Sequence, residues 1–285
     1  MIQMSNYNAM NKFYTILAMV AMLVINTSCS ESITDMGNPW VETSVSAAEQ
    51  RVHNLVMQAR KGDVQAYNSL AQCYRDGDGV EPSWLNMLCM YAIYAQKTGR
   101  EFEDVIEVSK DGKYSWVVSE IMDSSSDDES EAKLKQLKQV VPAEVKAVEA
   151  AKMADSMNDV ASAMAMIREA EDEGSELAVI LQVTYYEDGE DVTGLEEYLL
   201  RVAAKYPVLN LMLGDLCVGR YRESKEIANI HDAIAYYYKA DASGMLVPKY
   251  ADVLLNLYDY FIQKGELECD EHELERLRVL AQKAY

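Results

Sequence analysis

Apolar residues recur at spacings of three and four along most of the chain, the period of one face of an α-helix. The pattern is clearest between Ala66 and Gly99. Ala66, Leu70 and Tyr74 share one face, and after a break Trp84, Leu88, Tyr91 and Ala95 continue a stripe. The break is Asp76-Gly77-Asp78-Gly79. Glycine reaches positive φ at little steric cost, so Gly77 and Gly79 are assigned to a tight turn between two helices. Ser83 is placed to cap the second helix and Gly99 to end it. Further along, a helix opens at Pro142 within Val141–Met157, another at Leu213-Gly214, and a third closes at Ala233–Gly244. Tyr250, Leu254 and Tyr258 begin a later one. Asp270 and Glu273 form a capping-box signature for a terminal helix through Ala284. Only 13 Gly and 5 Pro interrupt 285 residues, which favours long helices over many short strands. The expected fold is all-α.

The first apolar run is of another kind. Residues Phe13 to Ile25 are too short a stretch to span a bilayer comfortably. Lys12 precedes them, and Thr27-Ser28 and then Cys29 follow. A basic start, an apolar middle and small residues at a cleavage site are the order of a secretory signal. The segment resembles a bacterial lipoprotein signal, which implies that Cys29 is lipidated and becomes the mature N-terminus. Asn26 departs from the usual apolar residue, and in this the segment is similar to lipoprotein signals of the Bacteroides group. A plain cleaved signal and an uncleaved anchor are the alternatives. The stretch before Met10 is polar and uncharged, so Met10 makes a better start of translation. The expected organisation is a signal peptide over 1–28, a polar tether over 29–46 that contains Pro39, and a helical repeat domain over 47–285. The protein is then exported and membrane-anchored, periplasmic or on the cell surface.

Ala66, Leu70, Tyr74, Gly77, Gly79 and Val80 fall on the pattern Ala-x3-Leu-Gly-x2-Tyr-x2-Gly-x-Gly-Val. The segment resembles the Sel-one-like repeats, a branch of the tetratricopeptide repeats, with Ala71 in place of the family glycine. Ala178, Tyr186 and Gly189 hold the same spacing more loosely, with Gln182 where Leu is expected. Ala233–Gly244 fits the second helix of a repeat, and Val141–Met157 resembles the Pro-started helix that closes such arrays. The resemblance implies an α-solenoid of antiparallel helix pairs, each burying its stripe against its neighbours. The acidic run Asp123–Glu131 reads as an exposed loop that offers a division into two subarrays; Asp127 and Ser130 are placed to cap the helix after it. The family arrangement also implies that the first helix of each pair lines the concave side. Residues off the packing stripe there are Gln65, Asn68, Gln72 and Arg75, and in the last pair Asp252, Asn256, Asp259 and Tyr260. Asn68, Gln72, Asn256 and Asp259 are the candidate partner-binding residues, since polar side chains on such a face suit hydrogen bonding to an extended peptide.

Charge narrows the choice of partner. The chain has 47 acidic and 26 basic residues, a net charge of -21. It lacks the basic footprint of a nucleic-acid binder, and its expected contact with a membrane is the N-terminal lipid alone. Motifs for chemistry fall short. His53, His231 and His272 form neither HExxH nor a helical pair. Cys269 and His272 supply two ligands where a metal site needs about four. Asp76–Gly79 begins like a calcium loop, but Val80 and Met87 occupy its fifth and twelfth positions. An SxxK match at Ser130–Lys133 and a KTG match at Lys97–Gly99 stand in reversed order to the penicillin-binding enzymes. No catalytic residue, metal site or cofactor is assigned. Beside Cys29, the chain has Cys73, Cys89, Cys217 and Cys269. Cys73 and Cys89 lie at comparable distances from the turn, and either meet as a disulfide or stay small buried thiols. Tyr236-Tyr237-Tyr238 must point in three directions, so these rings are read as packing residues with a hydroxyl at the edge. The expected function is a protein–protein interaction scaffold at a bacterial envelope, with an unidentified envelope protein or peptide as partner. The alternative is binding of cell-wall fragments or another small ligand in the groove, and an envelope hydrolase ranks third.

Overall fold

A computed structural model describes residues 46–107, 134–157 and 160–282. Cys29, the signal, the tether before Ser46, the run Asp123–Glu131 and the SxxK match lie outside the described residues. The helices are α1 (Ala47–Arg60), α2 (Val64–Asp76), α3 (Trp84–Thr98), α4 (Phe102–Glu107), α5 (Pro142–Met157), α6 (Val160–Asp172), α7 (Glu176–Asp188), α8 (Val192–Val202), α9 (Asn210–Ser224), α10 (Ala228–Asp241), α11 (Pro248–Lys264) and α12 (Glu271–Ala281), with a 3-10 turn at Pro207–Leu209 before α9. No strand occurs among the described residues. The fold is all-α, with adjacent helices packed as pairs.

The chain forms two compact units. One holds α1–α4 up to residue 106 together with the chain from residue 196 onward; the other is described over 134–195. The chain therefore leaves the first unit and returns to it within α8. A single cut near 123–131 would part α1–α4 from α9–α12, which share one unit.

The first unit is built on the antiparallel pair α2–α3. Asp63 caps α2, its side chain accepting from the Gln65 amide at 3.0 Å. Gly77 ends α2 in the left-handed conformation, φ 72°, and Gly79 is also left-handed, φ 78°. Ser83 caps α3 through the Asn86 amide, 3.1 Å, and left-handed Gly99 ends it. A Cβ on Gly79 would lie 2.4 Å from the Ala48 carbonyl oxygen, so only glycine lets this turn rest on the start of α1. Arg51 of α1 pairs with Asp78, and Arg75 with Asp76 at 2.8 Å. Both carboxylates of the calcium-like run are thus engaged by arginines.

The sequence gives α3 one apolar stripe, but the helix is buried nearly all round. Leu85, Met87, Cys89, Met90, Ala92 and Ile93 join Trp84, Leu88, Tyr91 and Ala95 in the core. The reason is that α3 packs against α2, α11 and the 3-10 turn at once. Chain-distant hydrogen bonds hold the same helix. Asn86 Nδ2 donates to the Lys205 carbonyl at 3.1 Å. Lys97 Nζ donates to the carbonyls of Val279, 3.0 Å, and Leu280, 2.5 Å, satisfying the free end of α12 and meeting its negative dipole. At the start of α12, Asp270 accepts from the Glu273 amide at 2.8 Å, but the Glu273 carboxylate turns to Tyr238 and Arg276. Only half of the expected capping box forms, and α12 ends at Ala281.

In the second unit α5, α6 and α7 pack on one another. Glu144 of α5 is buried against the start of α7. One of its oxygens accepts from Ser175 Oγ at 2.6 Å and the Leu177 amide at 3.1 Å, the other from the Glu176 amide at 3.0 Å. A carboxylate is well placed there, where two amides, a hydroxyl and the helix dipole converge. Gln182, at the position expected to be Leu, is buried and donates its amide to Glu171.

The turn after α7 differs from the turn after α2. Gly189 is right-handed, φ -80°, and the positive φ falls on exposed Glu190, 55°. A side chain in that region carries strain that glycine does not. Glu190→Gly is expected to stabilise the second unit by about 0.5–1 kcal/mol, the relief of strain less the added freedom of the unfolded chain. Chemical unfolding monitored in this unit checks the sign; a loss of stability overturns the assignment of strain.

Candidate functional site

The densest chemistry of the first unit gathers around α10, where Tyr236, Tyr237 and Tyr238 diverge by about 100° per residue. Tyr237 points inward and is fully buried. Its ring lies where a side chain on Gly214 would be, since a Cβ there would stand 2.3 Å from Tyr237 Cε1. The Tyr237 hydroxyl donates to Asp215 Oδ1 at 2.8 Å, and that of Tyr250 to Asp215 Oδ2 at 2.5 Å. Burial pushes the Asp215 carboxyl above its ordinary range, and the two hydroxyls with nearby Lys249 and Arg222 oppose the shift.

Tyr238 points about 100° away from Tyr237 around the helix. Its hydroxyl lies 3.0 Å from that of Tyr258 and donates to Glu273 Oε1 at 2.9 Å. Glu273 receives two hydrogen bonds from Arg276, both at 2.7 Å. Arg276 also spans both oxygens of Asp241, 3.1 and 3.0 Å, and reaches the Arg60 carbonyl at 3.1 Å. Arg60 Nε adds a bond to Asp241 Oδ2 at 3.0 Å. The Asp241 side chain is only 1% exposed and that of Arg276 13%. The network ties α1, α10, α11 and α12 together. Its charges and donors are matched, which is what makes burial of such groups tolerable.

Nearby groups do not add reactivity. Burial, then the charges of Glu273 and Asp270, push the Cys269 thiol up to about 11, away from the thiolate that a nucleophile or metal ligand needs. His272 is exposed. No group of three or more His, Cys, Asp or Glu among the described residues is arranged to hold a metal ion. Cys73 and Cys89 are buried thiols and form no disulfide with each other.

The polar residues singled out from sequence lie on two helices. On α2, Gln65 and Gln72 are exposed, but Asn68 is half-buried. Arg75 is half-buried as well and turns to Asp76. Tyr74, assigned to the packing stripe, is half-buried; burial and then the Cys89 and Cys73 thiols push its hydroxyl up to about 12. On α11, Asp252, Asn256, Asp259 and Tyr260 are all exposed, with Asn256 Nδ2 donating to Asp252 at 3.3 Å. The other side of α11 buries Tyr250, Ala251, Leu254, Leu257, Tyr258 and Phe261.

Sequence reasoning missed Asp215, Asp241 and Arg276. A signal existed for the two acids. Each follows a core residue by four, Leu211 before Asp215 and Tyr237 before Asp241, so each continues a buried stripe where an apolar residue belongs. No described helix is long and apolar enough to cross a membrane. No protein-family model, curated protein or solved structure matches the chain.

Proposed function

We propose that the protein is an interaction scaffold of the bacterial envelope, in which helix pairs of the Sel-one-like kind stack as a solenoid and present one helix of each pair to a protein or peptide partner. The pairs are α2–α3, α9–α10 and α11–α12. Two features favour the repeat reading: the two left-handed glycines after α2 and the Leu213-Gly214 step on which Tyr237 packs. The reading assigns no catalysis, cofactor or nucleic-acid binding, and places the chain outside the cytoplasm on a lipid at Cys29.

The observation that carries the scaffold reading is the two-sidedness of α11. One side is locked into the core by Tyr250, Leu254, Tyr258 and Phe261, while Asp252, Asn256, Asp259, Tyr260 and Gln263 remain exposed along the other. A polar helix face held rigidly on a packed frame loses little conformational entropy when a partner binds. Alanine at Asn68, Gln72, Asn256 and Asp259 together is expected to leave circular dichroism and melting nearly unchanged. Affinity for a partner captured from the native envelope is expected to fall at least about tenfold, or about 1.4 kcal/mol. Unchanged affinity moves the binding face elsewhere.

The anchor has its own test. Cys29→Ser is expected to shift the protein from the membrane pellet to the soluble exported fraction, because a lipid chain and not the apolar run holds it. Retention in the pellet at the wild-type level would instead make Phe13–Ile25 a true anchor.

A further inference from the structure

The inner side of α11 fixes what its outer side presents. With Tyr250, Leu254, Tyr258 and Phe261 in the core, Asp252, Asn256, Asp259 and Gln263 fall on the outside at successive spacings of four, three and four. All four are exposed. Asp252 and Asp259 stand two turns apart, about 10 Å along the axis, and point nearly the same way.

The charges of this stripe are not matched from within. Several other surface carboxylates of the first unit are: Asp78 pairs with Arg51, Asp76 with Arg75, and Glu271 and Glu275 with Arg278. Asp252 instead takes a hydrogen bond from the neutral amide of Asn256 at 3.3 Å, and among the described residues neither Asp252 nor Asp259 is joined to a cation. Beside the stripe stands Tyr260, 40% exposed. Its ring meets that of Phe261 at 5.0 Å between centres and 87° between planes, which ties it to the core. The ammonium of Lys264 rests 4.0 Å from the centre of the Tyr260 ring. The ring therefore already attracts a cation. Lys264 is an exposed side chain on the last residue of α11, so a cation from outside can replace it there without disturbing the core.

We infer that the outer face of α11 docks a basic segment of the partner, with one arginine or lysine set against Asp252 and a second, about 10 Å away, set against Asp259 and the Tyr260 ring. The inference rests on the scaffold reading and names the chemistry of its partner. A guanidinium suits the second position best, because it bonds a carboxylate through its fork and stacks on an aromatic face. The net charge of -21 draws such a segment toward the protein, and the two aspartates and the ring fix where it lands.

A random peptide library displayed on phage, selected on the full-length chain in detergent, tests the docking face. Selection is expected to enrich peptides with two Arg or Lys at a fixed spacing. A synthetic peptide of the enriched sequence is expected to bind at least about tenfold more weakly to the double variant Asp252→Asn, Asp259→Asn. Tyr260→Ala is expected to weaken it about threefold, and Lys264→Ala to strengthen it about threefold by removing a competitor for the ring. All these side chains are exposed, so melting is expected to stay near that of the wild type. The control is Glu197→Gln with Glu223→Gln, which removes two exposed acids outside α11 and is expected to leave affinity unchanged. A control that loses as much as the aspartate pair means that net charge alone draws the peptide, and overturns the docking face. Enriched peptides without paired basic residues overturn it as well and leave the scaffold reading standing. A muramidase digest of peptidoglycan that binds the wild type, with no peptide enriched, overturns both in favour of a glycan ligand.

Discussion

Gly79→Val is expected to lower the stability of the first unit by about 2–6 kcal/mol. Two costs combine. A β-branched residue held at φ 78° stores about 1–3 kcal/mol of backbone strain. Its Cβ would also stand 2.4 Å from the carbonyl oxygen and 2.5 Å from the carbonyl carbon of Ala48, and both are backbone atoms that cannot rotate away. The turn must lift from α1, or the start of α1 must move, at a further cost of about 1–3 kcal/mol for overpacking. Two other glycines divide these terms. At Gly77, φ 72°, the nearest atom to a new Cβ is Pro82 Cγ at 2.7 Å, within the same turn and on a ring that can shift. At Gly265, φ 71°, nothing lies within 4 Å, so Gly265→Val carries strain alone. Urea unfolding of the three variants is expected to rank them Gly79, Gly77, Gly265 from the largest loss to the smallest. If Gly79→Val and Gly265→Val lose the same amount, the contact of the turn with α1 contributes nothing to the fold.

The same turn marks how far sequence reasoning reaches. Gly77, Gly79, Ser83 and Gly99 were legible because turns and caps are local: a few residues and their backbone angles determine them. The Pro142 start of α5 was legible for the same reason. What joins α1–α4 to α9–α12 was not, because it depends on partners far apart in the chain. Lys97 matches a KTG motif on paper; in the fold it serves the carbonyl end of α12. Glu273 completes a capping box on paper, yet a tyrosine and an arginine compete successfully for its carboxylate. Periodicity marks which face of a helix is apolar but not how many neighbours surround it, so α3 read as one-sided and is buried almost throughout. Of the candidate partner residues, the α11 set was placed correctly as exposed, since Leu254 and Tyr258 fix the rotation of a long helix. Asn68 is half-buried, because α2 is packed on two sides by α1 and α3.

The buried network around Asp241 sets the second large effect. Arg276→Met is expected to cost about 3–5 kcal/mol, the range for removing one partner of a buried ion pair. The loss is large because Met leaves Asp241, only 1% exposed, with Arg60 as its one remaining cation among the described residues, and Arg60 bonds a single oxygen. Arg276→Lys separates charge from geometry. Lysine keeps the positive charge but has three donors on one atom, where the guanidinium fork serves Glu273, both oxygens of Asp241 and the Arg60 carbonyl at once. Its expected cost lies between those of the wild type and Arg276→Met. The decisive comparison is a double-mutant cycle with Asp241→Leu. Removing the acid as well as the base leaves no stranded charge, so the double variant is expected to be more stable than the sum of the two single losses by about 1–3 kcal/mol. Additive losses would mean that Arg276 and Asp241 act independently, and the stability of the unit would then rest on the apolar packing of α10 and α12 around them.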